Sequence, residues 1–271
     1  MPKGCALHIG LNFVDPKHYQ GWDGELNACE ADAEDMAAIA TANGYESVVL
    51  MTKKATRRAV KDALTKFSNT LESGDILLLS YSGHGGQLPD KNGDEKDDMD
   101  ETWCLYDGEM SDDELYKLYG KFKEGVRILL FSDSCHSGTV SKDLLAQVNA
   151  LTTDTRVYRA MPEAVALRTY RANKVFYDDI AAEAAKDKDK PIGASVMLFS
   201  GCQDNQLSQD GTFNGLFTGQ MLKTWREGVF KGNYKKFHKT ILRTMPPDQS
   251  PAFTFVGKTN AAFTGQKPFT I

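Results

Sequence analysis

The chain predicts an α/β fold, with a mostly parallel central sheet flanked by helices. Two observations carry this expectation. Short apolar runs of strand length alternate with segments whose apolar residues recur at helical spacing. The runs Ile76-Leu77-Leu78-Leu79 and Ile128-Leu129-Leu130-Phe131 show no polar alternation, as central strands buried on both faces should not.

Taken in order, the first strand is expected over 5–13. A helix follows over about 27–43, where Leu26, Cys29, Ala33, Met36, Ala37 and Ala40 form one stripe and Asn43-Gly44 ends it. Residues 47–51 form the second strand, and 56–71 a second helix with Thr52 or Ala55 near its start. Residues 75–81 and 126–132 are the third and fourth strands. Ser111-Asp112-Asp113-Glu114 reads as an N-cap with an acidic first turn, suited to the helix dipole. A fifth strand is expected over 193–200 and helices over 216–228 and 234–245. Residues 252–256, set off by Pro246, Pro247 and Pro251, form an antiparallel edge strand. Two segments break the rhythm. Residues 88–101 hold Asp90, Asp94, Glu95, Asp97, Asp98, Asp100 and Glu101 with almost nothing apolar. Residues 140–191 are far longer than an ordinary connection, and such loops tend to be functional. One domain over 1–271 is expected, with a large-subunit-like region over 1–140, a linker over 140–191 and a small-subunit-like region over 192–271.

A net charge of −5 leaves no basic footprint for nucleic acid. The five cysteines, Cys5, Cys29, Cys104, Cys135 and Cys202, are widely scattered, which points to reduced thiols and a cytoplasmic location. No apolar stretch reaches the roughly eighteen residues of a membrane span. The opening run 6–14 contains His8 and Asn12 and reads as a strand rather than a leader.

The chemistry sits where two apolar runs end. The third strand runs into Ser82-Gly83-His84-Gly85-Gly86, the fourth into Asp133-Ser134-Cys135-His136-Ser137-Gly138. Neighbouring parallel strands bring their C-terminal ends to one edge of the sheet, so an imidazole and a thiol meet there. A nearby imidazole raises the reactive thiolate fraction or accepts the thiol proton during attack. This gives a cysteine hydrolase with the dyad His84 and Cys135. Gly85 and the amides near Cys135, Ser137 and Gly138 are the expected donors to an oxyanion. His136 is the alternative base, but adjacent residues on an extended chain face opposite ways, which favours His84. A metal site from Cys104, Cys135, His84 and His136 lacks the ligand spacing of structural zinc.

With these motifs the chain resembles the caspase-like cysteine peptidases, and among them most the metacaspases and prokaryotic orthocaspases. The likeness spans roughly residues 5–220 and is most specific at His84 and at 133–138. It implies a caspase-like fold and hydrolysis of peptide bonds after Arg or Lys. A buried guanidinium needs carboxylates, and Asp133, two residues before Cys135, faces the nucleophile's side. Asp32 lies in Leu26-Asn27-Ala28-Cys29-Glu30-Ala31-Asp32-Ala33, similar to the family's L-x-G-C-x-N-D-A element, although Ala28 and Glu30-Ala31 depart from it. Asp204 matches the family's S-G-C-x-D-x-Q stretch, and Ser82 its S-G-H serine. The resemblance thus implies a pocket of Asp32, Asp133, Ser82, Cys29 and Asp204. It also implies calcium binding through Asp100, Asp112, Asp113 and Asp143, the last one residue out of register. No EF-hand spacing accompanies these.

The linker is expected to be cut, by the chain itself or by an activating protease, at Arg156, Arg159, Arg168, Arg171, Lys186, Lys188 or Lys190. The partners expected are protein or peptide substrates with basic residues, not nucleic acid or membrane, and the chain is expected to be a monomer. Two alternatives stay open: an Asp-specific or other caspase-clan protease, which peptides ending in Arg, Lys or Asp would separate, and a non-catalytic signalling module of the same fold.

Overall fold

The computed structural model describes residues 1–91, 93, 98–135, 157–186, 190–203 and 206–271. Six strands form the central sheet: β1 (Gly4–Gly10), β2 (Glu46–Met51), β3 (Ile76–Ser82), β7 (Arg127–Asp133), β8 (Ser195–Ser200) and β9 (Ala252–Gly257). Their order is β2-β1-β3-β7-β8-β9, parallel throughout except for antiparallel β9 at one edge. A second, antiparallel sheet consists of β4 (Gly85–Pro89), β5 (Met99–Leu105) and β6 (Gly108–Ser111).

Strand alternation divides the core in two. Leu7, Ile9, Leu77, Leu79, Ile128, Leu130 and Val196 point to one face. Ala6, Ile76, Leu78, Leu129, Phe131, Met197 and Phe199 point to the other. Both sets are buried, which is why these runs are apolar at every position. The first face is covered by α2 (Arg57–Thr70), α3 (Asp112–Tyr119) and the antiparallel sheet, through Val60, Leu64, Leu115, Leu118 and Trp103. The second is covered by α1 (Cys29–Ala42), α6 (Leu216–Trp225) and α7 (Tyr234–Leu242), through Met36, Phe217, Met221 and Phe237. A short α8 (Ala261–Gly265) adds Phe263.

The linker carries α4 (Glu163–Ala172) and α5 (Lys174–Ala185). Ser111 caps α3 in a capping box with Glu114. Several expectations are corrected. The first strand ends at Gly10, and exposed Phe13 lies beyond it. The cap of α2 is Thr56, whose side chain accepts from the Ala59 N–H. The helix expected over 216–228 stops at Trp225, because Arg226 and Glu227 adopt left-handed backbone. The acidic stretch contains strand, with residues of β4 and β5 at its ends.

Candidate active site

The register of β3 against β7 pairs Ser82 with Asp133, so His84 and Cys135 each follow that pair by two residues at the same edge of the sheet. Cys135 is 1 % exposed, and its sulfur accepts from the Ser208 N–H at 2.5 Å. His84 lies under the Trp22 ring, with ring centroids 4.8 Å apart. Its Nε2 donates to the Gly24 carbonyl oxygen at 3.0 Å. That bond fixes the tautomer, leaving the buried Nδ1 with its lone pair and, among the described residues, no hydrogen-bond donor within bonding geometry. Burial pushes the imidazole down to about 4, so it is neutral at pH 7.

Between these groups lies a stretch of the chain's own linker. The Arg159 carbonyl oxygen accepts from the Gly85 N–H at 2.9 Å and from the Cys135 N–H at 3.1 Å. Either side of it the chain is held as an added strand. The Arg159 N–H donates to the Ser208 carbonyl at 3.0 Å, the Asp210 N–H to the Val157 carbonyl at 2.8 Å, and the Met161 N–H to the Gly85 carbonyl at 2.7 Å. Gly85 has to be glycine, since a Cβ there would fall 1.7 Å from the Cys135 carbonyl oxygen.

The Arg159 side chain is wholly buried, and all three of its nitrogens are bonded. Nη1 meets Ser82 Oγ at 2.8 Å and the Asp133 carboxylate at 3.0 Å. Nη2 meets Asp32 and Asp210 at 2.8 and 2.9 Å, and Nε donates to Asp210 at 3.3 Å. Burial opposes the guanidinium charge, but Asp133, Cys29, Asp32 and Asp210 hold it well above its ordinary value. Burial, with Asp133 alongside, pushes the Asp32 carboxyl up against the pull of Arg159. The carboxylates are held in turn. Asp133 accepts from Ser208 Oγ at 2.6 Å and Thr218 Oγ1 at 2.8 Å, Asp32 from Ser82 Oγ at 2.7 Å and the Gly215 N–H at 3.1 Å, and Asp210 from the Asn27 N–H at 2.7 Å.

A model of the caspase domain, peptidase family C14, matches residues 3–263. The chain belongs to the caspase-domain family. It is 30 % identical to Metacaspase-1 of Schizosaccharomyces pombe over 84 % of its own length and 60 % of the relative's. It is 31 % identical to Metacaspase-1A of Aspergillus clavatus over 81 % of its length and 57 % of the relative's. This caspase domain therefore spans roughly three fifths of the curated relatives it matches. Among solved structures, protein GSU0716 of Geobacter sulfurreducens is 60 % identical, with a TM-score of 0.91 and 99 % of each chain covered. Caspase-1 of Spodoptera frugiperda shares the fold at 12 % identity and a TM-score of 0.58, over 93 % of this chain and 86 % of that one.

In this caspase domain Cys135, Gly85, Asp32, Asp133 and Ser82 converge on Arg159, with His84 one residue before Gly85 and buried Cys29 beside them. Asp204, His136, Ser137, Gly138, Arg156 and Lys188 lie outside the described residues. The other basic linker residues, Arg168, Arg171, Lys186 and Lys190, are exposed. Sequence reasoning missed Asp210 and Gly215. A Cβ on Gly215 would sit 2.5 Å from Arg159 Nη1, so its bare backbone forms one wall of the pocket. Both belong to the polar stretch Asp210-Gly211-Thr212-Phe213-Asn214-Gly215, whose only signal was a turn-rich composition.

The calcium candidates are separate from this cluster. Asp100 is buried on β5, and Asp112 and Asp113 open α3. Asp143 lies outside the described residues. Among the described residues no three His, Cys, Asp or Glu side chains are grouped to hold a metal ion. The five cysteines are all buried, and none forms a disulfide. Among the described residues, no helix is long and apolar enough to cross a membrane.

Proposed function

We propose that this chain is a cysteine endopeptidase cutting after arginine, with Cys135 as nucleophile and His84 as base, and that its first substrate is its own Arg159–Ala160 bond. The observation that carries this is the pose of Arg159, whose carbonyl oxygen lies between two N–H donors while its side chain lies among three carboxylates. The pose is that of a bound substrate, because the donors face the atom on which charge develops.

Each step follows from the groups around the bond. His84 Nδ1 takes the thiol proton as the Cys135 sulfur attacks the Arg159 carbonyl carbon. The oxygen becomes an oxyanion held by the Gly85 and Cys135 N–H groups. The carbon–nitrogen bond to Ala160 then breaks, and the proton on His84 passes to the departing Ala160 amine. A water, deprotonated by His84, hydrolyses the thioester. The Arg159 carboxylate is released and the thiol restored.

The pocket chemistry favours arginine over lysine. Asp210 accepts from two nitrogens of one guanidinium edge while Asp32, Asp133 and Ser82 take the rest, and a single ammonium cannot span all four. An Asp-specific pocket would need cationic walls, and these walls are acidic. Until cut, the linker fills the cleft and excludes other substrates, which supports regulation by cleavage. Calcium regulation through Asp100, Asp112, Asp113 and Asp143 is a separate proposal, read by activity with and without a chelator. Fluorogenic peptides ending in Arg, Lys or Asp test the main reading. Arg substrates are expected to turn over fastest and Asp substrates not at all. Loss of that order overturns it.

A further inference from the structure

Beyond the scissile bond, the chain places Met161 in a recess. The Met161 N–H and the Arg159 carbonyl bond to the same residue, Gly85, so 159–161 run along it as a parallel strand. An extended substrate therefore points the second side chain after the cut the way Met161 points. Met161 is 7 % exposed and packs with the main core. Its Cε comes within 2.6 Å of the point where a Cβ on Gly86 would lie. Glu109 Oε2 and Thr102 Oγ1 lie 2.7 and 2.9 Å from that same point. The missing side chain of Gly86 thus opens the recess, and Thr102 and Glu109 close its floor. Thr102 Oγ1 donates to Glu109 at 2.7 Å. Burial also pushes the Glu109 carboxyl up to about 8, which leaves the floor uncharged at pH 7.

We infer that Gly86, Thr102 and Glu109 form a subsite for the second residue after the cut, selecting substrates with a large apolar side chain there. The inference rests on the proposed endopeptidase reading and extends it to the far side of the scissile bond. Arginine in the acidic pocket alone then defines half of a substrate. The other half is an apolar side chain two residues on.

Internally quenched peptides that differ only at that second position, carrying Met, Ser, Asp or Arg, test this beside an arginyl-coumarin substrate with no residue beyond the cut. Burying a methionine side chain favours the Met peptide over the Ser peptide by about tenfold or more in kcat/KM. The Asp peptide is expected to fare worst. In Gly86→Ala the Met-to-Ser ratio collapses toward one, a ratio read within the variant and so independent of its overall activity. Coumarin release with equal cleavage of the Met and Ser peptides overturns the subsite and leaves the endopeptidase reading intact. No coumarin release overturns both. Self-cleavage supplies a second readout: Met161→Ser slows the cut after Arg159 about tenfold, while Met161→Leu stays close to the parent. An unchanged rate in Met161→Ser contradicts the subsite.

Discussion

The Arg159 guanidinium lies 3.0 Å from the Asp133 carboxylate, and both side chains are almost completely buried. Asp133 ends β7 two residues before Cys135, so one short segment supplies both the charge that holds a basic side chain and the thiol beside its carbonyl. The coupling is close, because the strand is buried from Ile128 to Asp133 and Thr218 and Ser208 hold the carboxylate.

Asp133→Asn is therefore expected to lower kcat/KM on Arg peptides by about two to three orders of magnitude, the range that follows from breaking one buried ion pair. Steady-state kinetics read it. Equal cleavage by the parent and the variant would remove Asp133 from the pocket.

Asp210→Asn is expected to act on selectivity. Its carboxylate takes the Nε edge that lysine lacks, so the Arg-to-Lys ratio falls by about tenfold while Lys cleavage changes less. Competition between paired Arg and Lys peptides measures this directly.

Arg159→Gln leaves Asp32, Asp133 and Asp210 buried without their cation. Stability is expected to drop by about 3–5 kcal/mol, seen as a lower Tm by calorimetry. A small guanidinium ligand such as N-acetylarginine amide should raise that Tm with concentration and leave the parent unmoved while its pocket is filled. A ligand effect of equal size in both proteins would contradict the occupied pocket.

Three buried groups, His8, His84 and Glu109, act on the pH dependence of stability in opposite senses. His8 and His84 are pushed down by burial to about 3 and about 4, so the unfolded chain binds more protons at these two sites below 6.5. Glu109 is pushed up to about 8, so the folded chain holds one proton more from about 4.5 to 8. Between about 4.5 and 6.5 His8 and His84 outweigh Glu109, while His18, also lowered by burial, offsets Asp32, raised by it, so stability rises with pH. Above 6.5 the raised Glu109 carboxyl is no longer opposed by the histidines, and stability falls to about pH 8. Denaturant titrations across this range should show a maximum near 6.5, and Glu109→Gln should flatten the alkaline side.

What the sequence makes legible follows from what is local. β3 and β7 announce themselves because burial on both faces makes 76–79 and 128–131 apolar throughout, and their ends bring His84 and Cys135 to one edge of the sheet. The antiparallel sheet is hidden. Gly85-Gly86-Gln87-Leu88-Pro89 has weak strand propensity, and its partner β5 grows out of an acidic stretch. Asp32 and Asp133 sit beside apolar elements that mark them, whereas Asp210 and Gly215 lie in a polar loop brought to the pocket only by the fold. Arg159 stands among several basic linker residues in the sequence. Its special position depends on strand-like pairing with Gly85 and 208–210, which no local pattern encodes.

The dyad itself predicts that Cys135→Ala and His84→Ala each abolish turnover while circular dichroism stays unchanged. Residual peptidase activity in Cys135→Ala would end the proposal.

The most direct test is the intact mass of freshly purified protein followed over time, with Cys135→Ala alongside. The parent chain is expected to separate into fragments 1–159 and 160–271 while Cys135→Ala stays whole. A parent chain that cleaves Arg peptides yet is never cut after Arg159, or the same cut in Cys135→Ala, would contradict it.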